Sequence, residues 1–266
     1  MKRLISVLTV VMLALLLCVS VCAEDVSVYV TISDEGEPLA VKYEKVLVSD
    51  SDGDGAVTVN DALYCAHEKL YKGGAEEGYE TFESEYGLSL NKLWGTVNGG
   101  SYGYYVNNTS AMSLLDPVSD GDHLYAYSFT DLVSWTDTYC YFDLITASCE
   151  EKSNVTLTLL AAAFDENWSP ITVPVVGASI TIDGEGTEIV TDENGKATIT
   201  CDKAGEHVIS AKSETMTLVP PVCKLTVIDT TPQSNIGGVI GIAIIAVLAI
   251  AVFVSYSSLK RKTNEK

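Results

Sequence analysis

Apolar and polar residues alternate with a period of two along much of this chain, which is typical of β-strands that bury one face. In the first half the alternation predicts strands at Val26 to Ile32, Tyr43 to Val48 and His123 to Phe129. A short helix is expected from about Asn60 to Tyr71. Strands on both sides of one helix predict a mixed sheet with that helix packed on it, which is an α+β arrangement.

The stretch from about Cys149 to Asp229 has a different residue pattern: strand-like runs of five to nine residues follow one another, with turn residues between them. Almost no helical periodicity occurs here. Short strands separated by turns predict an all-β sandwich. The runs are Val155 to Ala163, Ala178 to Ile182, Lys196 to Cys201, His207 to Ala211 and Val222 to Ile228.

The chain begins with a pattern typical of a secretory signal. A basic start precedes an apolar run from Leu4 to Val21, and Ala23 is a small residue at the expected cleavage position. We therefore predict a signal peptide over residues 1–23. A lipoprotein signal acylated on Cys22 is the alternative, and the bulky residue before that cysteine disfavours it.

A second apolar run, Ile236 to Val254, carries no charge and has about the length that crosses a hydrocarbon core of roughly 30 Å. A basic cluster at 260–262 follows it and predicts the cytoplasmic side. The sequence thus predicts a single-pass protein of the cell membrane, with an extracellular ectodomain and the lipid bilayer as a partner. The transmembrane helix is expected at 236–256 and a basic cytoplasmic tail at 257–266.

The part between these ends, residues 24–235, is strongly acidic, with 35 acidic against 10 basic residues and a charge of about −25. Nucleic-acid binding needs clustered Lys and Arg, so no nucleic-acid partner is expected. The change from a mixed pattern of strands and a helix to strands alone divides this part into an N-terminal domain at 24–147 and a second domain at 148–229. A polar spacer follows at 230–235. An extracellular ligand or protein partner is expected, and the sequence does not identify it.

The most specific chemical pattern is an Asp- and Gly-rich loop over residues 50–61. Ca²⁺ takes six to eight oxygen ligands, and known loops supply them from fixed positions. Here carboxylates stand at positions 1, 3, 5 and 12, and Gly55 stands at position 6, where such loops turn sharply. The pattern predicts a Ca²⁺ site whose ligands are Asp50, Asp52, Asp54, the carbonyl of Ala56, Thr58 and Asp61.

This loop resembles the calcium loop of EF-hands, and more closely the loop-helix half of dockerin repeats, in which Asp at position 12 is usual. Dockerins carry two such loops, whereas this chain has one. The resemblance implies bound calcium. The alternative is an acidic turn in which Thr58 and Asp61 only form a capping box for the helix. Both interpretations can hold at once.

A second pattern combines Trp94, the segment Gly103-Tyr104-Tyr105-Val106-Asn107 and the turn Asp120-Gly121-Asp122. In this order after two strands and a helix, it resembles the transcobalamin-like C-terminal domain, a β-grasp relative of bacterial surface proteins. The resemblance covers about residues 26–129 and implies a β-grasp-like fold. In the animal vitamin carriers this domain closes over cobalamin beside a helical barrel, which this chain lacks.

Trp94, Tyr104 and Tyr105 are the candidate ligand-binding residues of this domain, because an exposed aromatic ring can stack on a sugar or a flat ligand. Core packing is the alternative for each of them. Strand alternation places Tyr104 and Tyr105 on opposite faces of a sheet, so at least one of the two is expected in a core.

A third pattern, Val190-Thr191-Asp192-Glu193-Asn194-Gly195-Lys196, is a hairpin that turns at Asn194-Gly195 between alternating strands. It resembles a hairpin of the bacterial immunoglobulin-like domains of adhesins and surface spacers. The resemblance implies an immunoglobulin-like stalk that holds the N-terminal domain away from the membrane.

Five cysteines remain after the predicted signal is removed, so at least one is free or bonds another chain. Secretion permits disulfides. Cys140–Cys149 and Cys201–Cys223 are the expected pairs. Spacing alone leaves the connectivity open.

Motifs for hydrolysis, phosphate binding and dinucleotide binding are absent from the sequence. The three histidines, His67, His123 and His207, are expected on the surface or in a core. We therefore expect a binding or adhesion protein rather than an enzyme. The alternatives are capture of a small ligand, such as a corrinoid or a glycan, for uptake, and a purely structural role in the cell envelope.

Overall fold

The computed structural model describes residues 23–36 and 39–230. The predicted transmembrane helix at 236–256, the tail at 257–266 and all but the last residue of the predicted signal peptide lie outside the described residues. Within the described ranges, no helix is both long enough and apolar enough to cross a membrane. Strands dominate the part of the chain that is described.

The N-terminal half is built around one mixed sheet, the first sheet, with the strand order β2-β1-β7-β5-β6. The first strand pairs antiparallel with β2 and parallel with β7, and β3 and β4 form a separate hairpin. The elements are β1 (Val26–Ser33), β2 (Leu39–Val48), α1 (Val59–Leu70), α2 (Gly74–Gly78), β3 (Glu80–Ser84), β4 (Gly87–Lys92), β5 (Tyr102–Val106), β6 (Thr109–Ser110) and β7 (His123–Ser128).

Helix α1 covers one face of the first sheet, as the sequence predicts. Alternate residues of β1, Val28, Val30 and Ile32, point to this face and pack with Leu63 and Ala66 of α1 in one buried core. Full burial of a large aliphatic side chain contributes about 1.5–3 kcal/mol. This core fixes the start of α1 and therefore the loop that precedes it.

The C-terminal half is a sandwich of two five-stranded sheets, β11-β10-β8-β16 with β14 paired to β10, and β13-β12-β15-β17-β9. Apolar side chains from both sheets meet in one core. The predicted all-β sandwich is confirmed. Its strands are β8 (Thr138–Phe142), β9 (Thr146–Glu150), β10 (Asn154–Phe164), β11 (Pro170–Pro174), β12 (Ser179–Ile182), β13 (Glu185–Val190), β14 (Lys196–Thr200), β15 (Gly205–Lys212), β16 (Leu218–Val219) and β17 (Cys223–Ile228).

The boundary expected between residues 147 and 148 falls inside β9. That strand pairs parallel with β17, and β8, which precedes it, pairs antiparallel with β10. Strand pairing therefore starts the sandwich at Thr138. Alternation did not predict a strand at Thr138–Phe142, because this segment has aromatic or apolar residues on both faces.

A tyrosine cluster covers the second face of the first sheet and joins it to the sandwich. Its members are Tyr105, Tyr125, Tyr127, Tyr139 and Tyr141, which pack together with Val219 and Val222. The hydroxyl of Tyr125 donates a hydrogen bond to the carbonyl of Pro220. All six residues of β7 are buried, because the strand has a core on either side. The two halves therefore share one buried interface.

Candidate functional site

The acidic loop joins β2 to α1 and is held at both ends by buried residues. Val48 ends β2 with no exposed surface, and Val57 and Val59 are buried at the start of α1. Thr58 is the N-cap: its hydroxyl accepts the N–H of Asp61, and the Asp61 carboxylate accepts the N–H of Thr58 at 2.9 Å. This reciprocal capping box satisfies helix N–H groups that have no partner within the helix.

Three of the predicted calcium ligands converge. Asp50, Asp52 and Asp54 each place a carboxylate oxygen within 4.8 Å of the other two. The loop turns back on itself at Gly53 and Gly55, whose φ angles are +77° and +93° and suit glycine. The N–H groups of these glycines donate to the carboxylate of Asp50 at 2.7 and 2.9 Å. A glycine-dependent backbone therefore directs three carboxylates to one point.

The other predicted ligands, Thr58 and Asp61, lie outside that group of three. One oxygen of Asp61 accepts the N–H of Ser51 at 2.8 Å, and the other accepts the Thr58 hydroxyl at 2.8 Å. Burial alone would raise the pKa of Asp61, but its hydrogen bonds outweigh burial and lower that pKa. The N–H of Ala56, whose carbonyl was the predicted backbone ligand, donates to Asp54 at 2.8 Å. The capping interpretation thus accounts for the last positions of the loop.

Asp52 connects the acidic loop to the core. Partial desolvation raises its pKa, and the negative charge of Asp61 raises it further. The side-chain amide of Asn60 donates to Asp52 at 3.1 Å and accepts the hydroxyl of the buried Tyr79 at 2.9 Å. Like charges held close together destabilise each other, and a bound cation would remove that repulsion.

A segment that the sequence analysis did not single out runs beside the loop. The N–H of Val118 donates to the carbonyl of Val57 at 3.0 Å, and the N–H of Asn60 donates to the carbonyl of Leu114 at 2.8 Å. Val57 and Val118 thereby flank a short β-bridge between Thr58, at loop position 9, and Pro117. No local pattern marks this pairing, because the two segments are far apart in the sequence.

The three predicted ligand-binding aromatics lie on two faces of the first sheet. Trp94 and Tyr104 are half-buried against the core beneath α1, whereas Tyr105 is half-buried in the tyrosine cluster. The ring of Tyr105 stacks on that of Tyr139, with centroids 3.6 Å apart. Strand alternation predicted the opposite orientation of the two tyrosines. The three side chains do not line a common cleft.

Two of the histidines are buried and hydrogen-bonded. His67 Nδ1 lies 2.7 Å from the carbonyl of Leu63, and its Nε2 accepts the N–H of Trp94 at 2.9 Å. Since the carbonyl accepts only, Nδ1 carries the proton of a neutral ring. Burial lowers the pKa of His67 and of His123 to about 4. Both are therefore neutral near pH 7.

A cavity of about 290 Å³ opens in the sandwich beside His207. Ile199 and Leu225 contribute apolar surface to it, and Asp183 and Lys203 contribute polar groups. The hydrogen bond from His207 to the Asp183 carboxylate, at 2.7 Å, raises the pKa of His207. Pockets for small ligands usually enclose about 300–1,000 Å³, so this cavity lies at their lower limit.

Cys149 and Cys201 form a disulfide, so the predicted pairs Cys140–Cys149 and Cys201–Cys223 are wrong. Strand β14 pairs with β10, and the turn between β9 and β10 then brings Cys149 beside Cys201. Cys65, Cys140 and Cys223 are free thiols. Burial raises the pKa of Cys223 to about 12, which keeps this thiol protonated.

All three tryptophans of the chain have a left-handed backbone, with φ of +50° at Trp94, +49° at Trp135 and +61° at Trp168. This conformation costs a residue with a β-carbon roughly 1–2 kcal/mol. Trp168 is also 82% exposed, and the sequence analysis missed it. Its signal is an aromatic residue inside the turn Asp165-Glu166-Asn167-Trp168-Ser169, where polar residues are usual.

Comparisons with solved structures give distant likenesses to this chain. No family model matches the chain, and no curated protein matches it. Tandem immunoglobulin repeats of Dlar align with 57% of this chain and 75% of their own, at 12% identity and a TM-score of 0.25. The teleost fish polymeric immunoglobulin receptor ectodomain aligns with 57% of this chain and 74% of its own, at 11% identity and a TM-score of 0.21.

The N-terminal Ig1-2 module of the Drosophila receptor protein tyrosine phosphatase DLAR aligns with 60% of this chain and 82% of its own, at 11% identity and a TM-score of 0.24. TM-scores this low carry no argument about fold or function. The architecture is therefore defined by the strand pairing within this chain.

Proposed function

We propose that this chain is a membrane-anchored protein of the cell surface that binds or adheres to a partner, with an N-terminal domain stabilised by calcium. The secretory pattern at 1–23 and the uncharged apolar segment at 236–256, followed by basic residues, support this location. The acidic charge between them suits a soluble ectodomain that repels anionic polymers.

The architecture supports the two proposed domain types. In the first sheet, β1 lies between β2 and β7 and runs parallel to β7, with one helix packed on a face. We assign this arrangement to a β-grasp-like domain of the transcobalamin-like kind. The sandwich, with its Asn194-Gly195 turn and its two packed sheets, is assigned to an immunoglobulin-like stalk.

The convergence of Asp50, Asp52 and Asp54 carries the calcium part of this proposal. Carboxylates are the oxygen ligands that Ca²⁺ prefers, and their chemistry fits this ion. These three side chains would hold the metal, with Ala56 as the backbone ligand. Bound Ca²⁺ would neutralise the crowded charges and order the loop. Asp61 would cap α1 and would be a ligand only if it released Ser51.

Calorimetric titration tests the metal site. The full chain, purified in detergent and stripped with a chelator, is titrated with Ca²⁺. We expect saturable binding to one site and a raised melting temperature, both lost in Asp54→Asn. Asp192→Asn is the matched control, because Asp192 also accepts backbone N–H groups in an exposed turn but has no converging partners among the described residues. No heat and no thermal shift in the wild type would rule calcium out.

Location and adhesion need separate measurements. Membrane-impermeant biotin should label lysines of the ectodomain on intact cells, and protease treatment of those cells should release it. Adhesion of such cells to surfaces should fall when the gene is deleted, and chelation should reproduce that loss. Labelling only after lysis would contradict a surface location. Unchanged adhesion after deletion would contradict the adhesive role and leave the two alternatives, ligand capture and a structural role in the cell envelope.

Capture of a small ligand is a second candidate function, and the cavity beside His207 favours it. Its volume of about 290 Å³ suits a ligand much smaller than a corrinoid. Trp94 and Tyr105, the residues expected to line a ligand cleft, lie on opposite faces of the first sheet. A ligand in this cavity should contact His207, so His207→Ala should abolish its uptake.

A further inference from the structure

The hairpin of β10 and β11 displays two aromatic side chains at its tip. Phe164, the last residue of β10, is 63% exposed, and Trp168 in the connecting turn is 82% exposed. Their ring centroids lie 6.3 Å apart. Large apolar side chains are normally buried, and single exposed ones need no explanation. Two adjacent exposed aromatic rings at the tip of one hairpin are a more specific feature.

The turn holds Trp168 in a fixed and unfavourable conformation. Its φ is +61°, a region that bulky residues rarely adopt. Asp165 enforces it: one carboxylate oxygen accepts the N–H groups of Asn167 and Ser169, both at 2.8 Å, and the carbonyl accepts the N–H of Trp168 at 3.0 Å. Strained residues that the surrounding structure enforces concentrate at binding sites. The fold orients this ring while burying little of it.

We propose that Phe164 and Trp168 form a stacking platform for the sugar rings of a neutral polysaccharide. This inference rests on the proposed binding role at the cell surface and names the class of partner. Pyranose rings present a face of C–H groups that packs on aromatic rings, and hydroxyl groups surround their edges. Glu166 and Asn167 are exposed between the two rings in sequence and offer both hydrogen-bond acceptors and donors.

Area and charge favour a glycan over other partners. Two aromatic side chains bury about 150–250 Å² each, well below the roughly 800 Å² per partner of a stable protein interface. Asp165 and Glu166 add negative charge at the tip of an already acidic ectodomain. That charge repels anionic lipids, nucleic acids and acidic polysaccharides. A neutral sugar chain matches both the size of the platform and its charge.

Affinity electrophoresis tests the proposal. The full chain is made in a bacterial host, so that the Asn167-Trp168-Ser169 sequon stays unmodified, and is purified in a detergent without a sugar headgroup. The gels contain laminarin, galactomannan, xyloglucan or dextran. We expect retardation by at least one of these polymers, and roughly tenfold or greater weakening in Trp168→Ala.

Tyr86→Ala is the matched control, because Tyr86 is 90% exposed but lies at the turn between β3 and β4. The Tyr86→Ala variant should bind the polymers with the same affinity as the wild type. Trp168→Asn should leave the melting temperature unchanged or raise it, since asparagine tolerates the left-handed backbone. A clear drop in that temperature would assign Trp168 a structural role and overturn the proposal.

Cells that display the chain separate this proposal from the proposed function. No retardation by any of the four polymers overturns the glycan proposal. If cell adhesion still requires Trp168 in that case, the platform serves a protein partner and the binding role stands. If neither the polymers nor the cell surfaces bind, both the glycan proposal and the proposed function fail. Equal retardation of Trp168→Ala and wild type places the glycan elsewhere and also overturns it.

Discussion

His67 should make the protein lose stability as the pH falls. This side chain has no exposed surface, and both ring nitrogens are engaged in the neutral form. Burial lowers its pKa to about 4, whereas an unfolded histidine titrates near 6.5. Between pH 6.5 and pH 4, therefore, His67 is protonated in the unfolded chain but neutral in the folded chain. The free energy of unfolding therefore keeps its full value above pH 6.5 and decreases as the pH falls towards 4.

The magnitude follows from the two pKa values. Each pH unit between them changes the free energy of unfolding by about 1.4 kcal/mol, so His67 accounts for a loss of roughly 2 kcal/mol between pH 7.5 and pH 5. His123, whose pKa is also about 4, adds a loss of similar size. His67→Gln keeps a donor and an acceptor but cannot ionise in this range, so it should remove about half of this combined loss.

Urea unfolding of the full chain in detergent, at steps from pH 7.5 to pH 5, measures this difference. His207→Gln is a control in which the effect of pH is expected to be opposite. The pKa of His207 is raised, so His207 stabilises the folded protein at low pH and stabilises it less as the pH rises. That variant should steepen the acid loss. If His67→Gln keeps the full wild-type dependence on pH, the reasoning is refuted. If the variant does not fold, an NMR titration of wild-type His67 decides, and a pKa near 6.5 would refute it.

Three further predictions concern the disulfide, the tyrosine cluster and the acidic loop. Replacing Cys149 and Cys201 with serine should lower the free energy of unfolding by about 4 kcal/mol, since the bond closes a loop of 52 residues; denaturant unfolding under non-reducing conditions checks this. Tyr139→Ala should cost about 3 kcal/mol through the cavity it leaves, whereas Tyr139→Phe should cost about 1 kcal/mol; a smaller loss in the alanine variant would contradict a buried interface. Gly55→Ala should weaken Ca²⁺ binding in calorimetry, because φ there is +93°.

Alternation was sufficient to predict strands in which apolar residues stand at every second position. The run from Val26 to Ile32 became β1, and the run from Val155 to Ala163 became β10. It failed for β8, where Tyr139 faces the tyrosine cluster and Cys140 faces the sandwich core, so that no polar residue alternates. This strand therefore lacks the period-two signal, and its partners are defined only by the tertiary structure.

The acidic loop shows where a motif becomes ambiguous. Its spacing predicted six ligands, and three of their carboxylates converge. Asp61 stands at the last loop position and also at the third position of a helix, where an acidic residue completes a capping box. Both roles require the same residue type at the same place. The sequence therefore predicted where the carboxylates gather but not which of them caps the helix.

Long-range pairing explains one remaining difference, and the backbone geometry of a turn explains the other. The disulfide between Cys149 and Cys201 follows from the alignment of β10 with β14, which no spacing rule contains. The strained conformation of Trp168 depends on the Asp165 turn and is visible only in the backbone angles. Composition and motif spacing describe local chemistry, whereas the disulfide arises from segments that the fold aligns.

The last strand of the sandwich has a mechanical consequence. β17 precedes the proposed membrane anchor and lies inside its sheet, antiparallel to β15 on one side and parallel to β9 on the other. If the C-terminal end of β17 were pulled along the strand, the hydrogen bonds to both neighbours would be loaded in shear and would have to rupture together. Bonds at the end of a hairpin would instead open one after another. This strand arrangement therefore resists extraction of β17, which would matter under flow if the proposed anchor holds the chain at a cell surface.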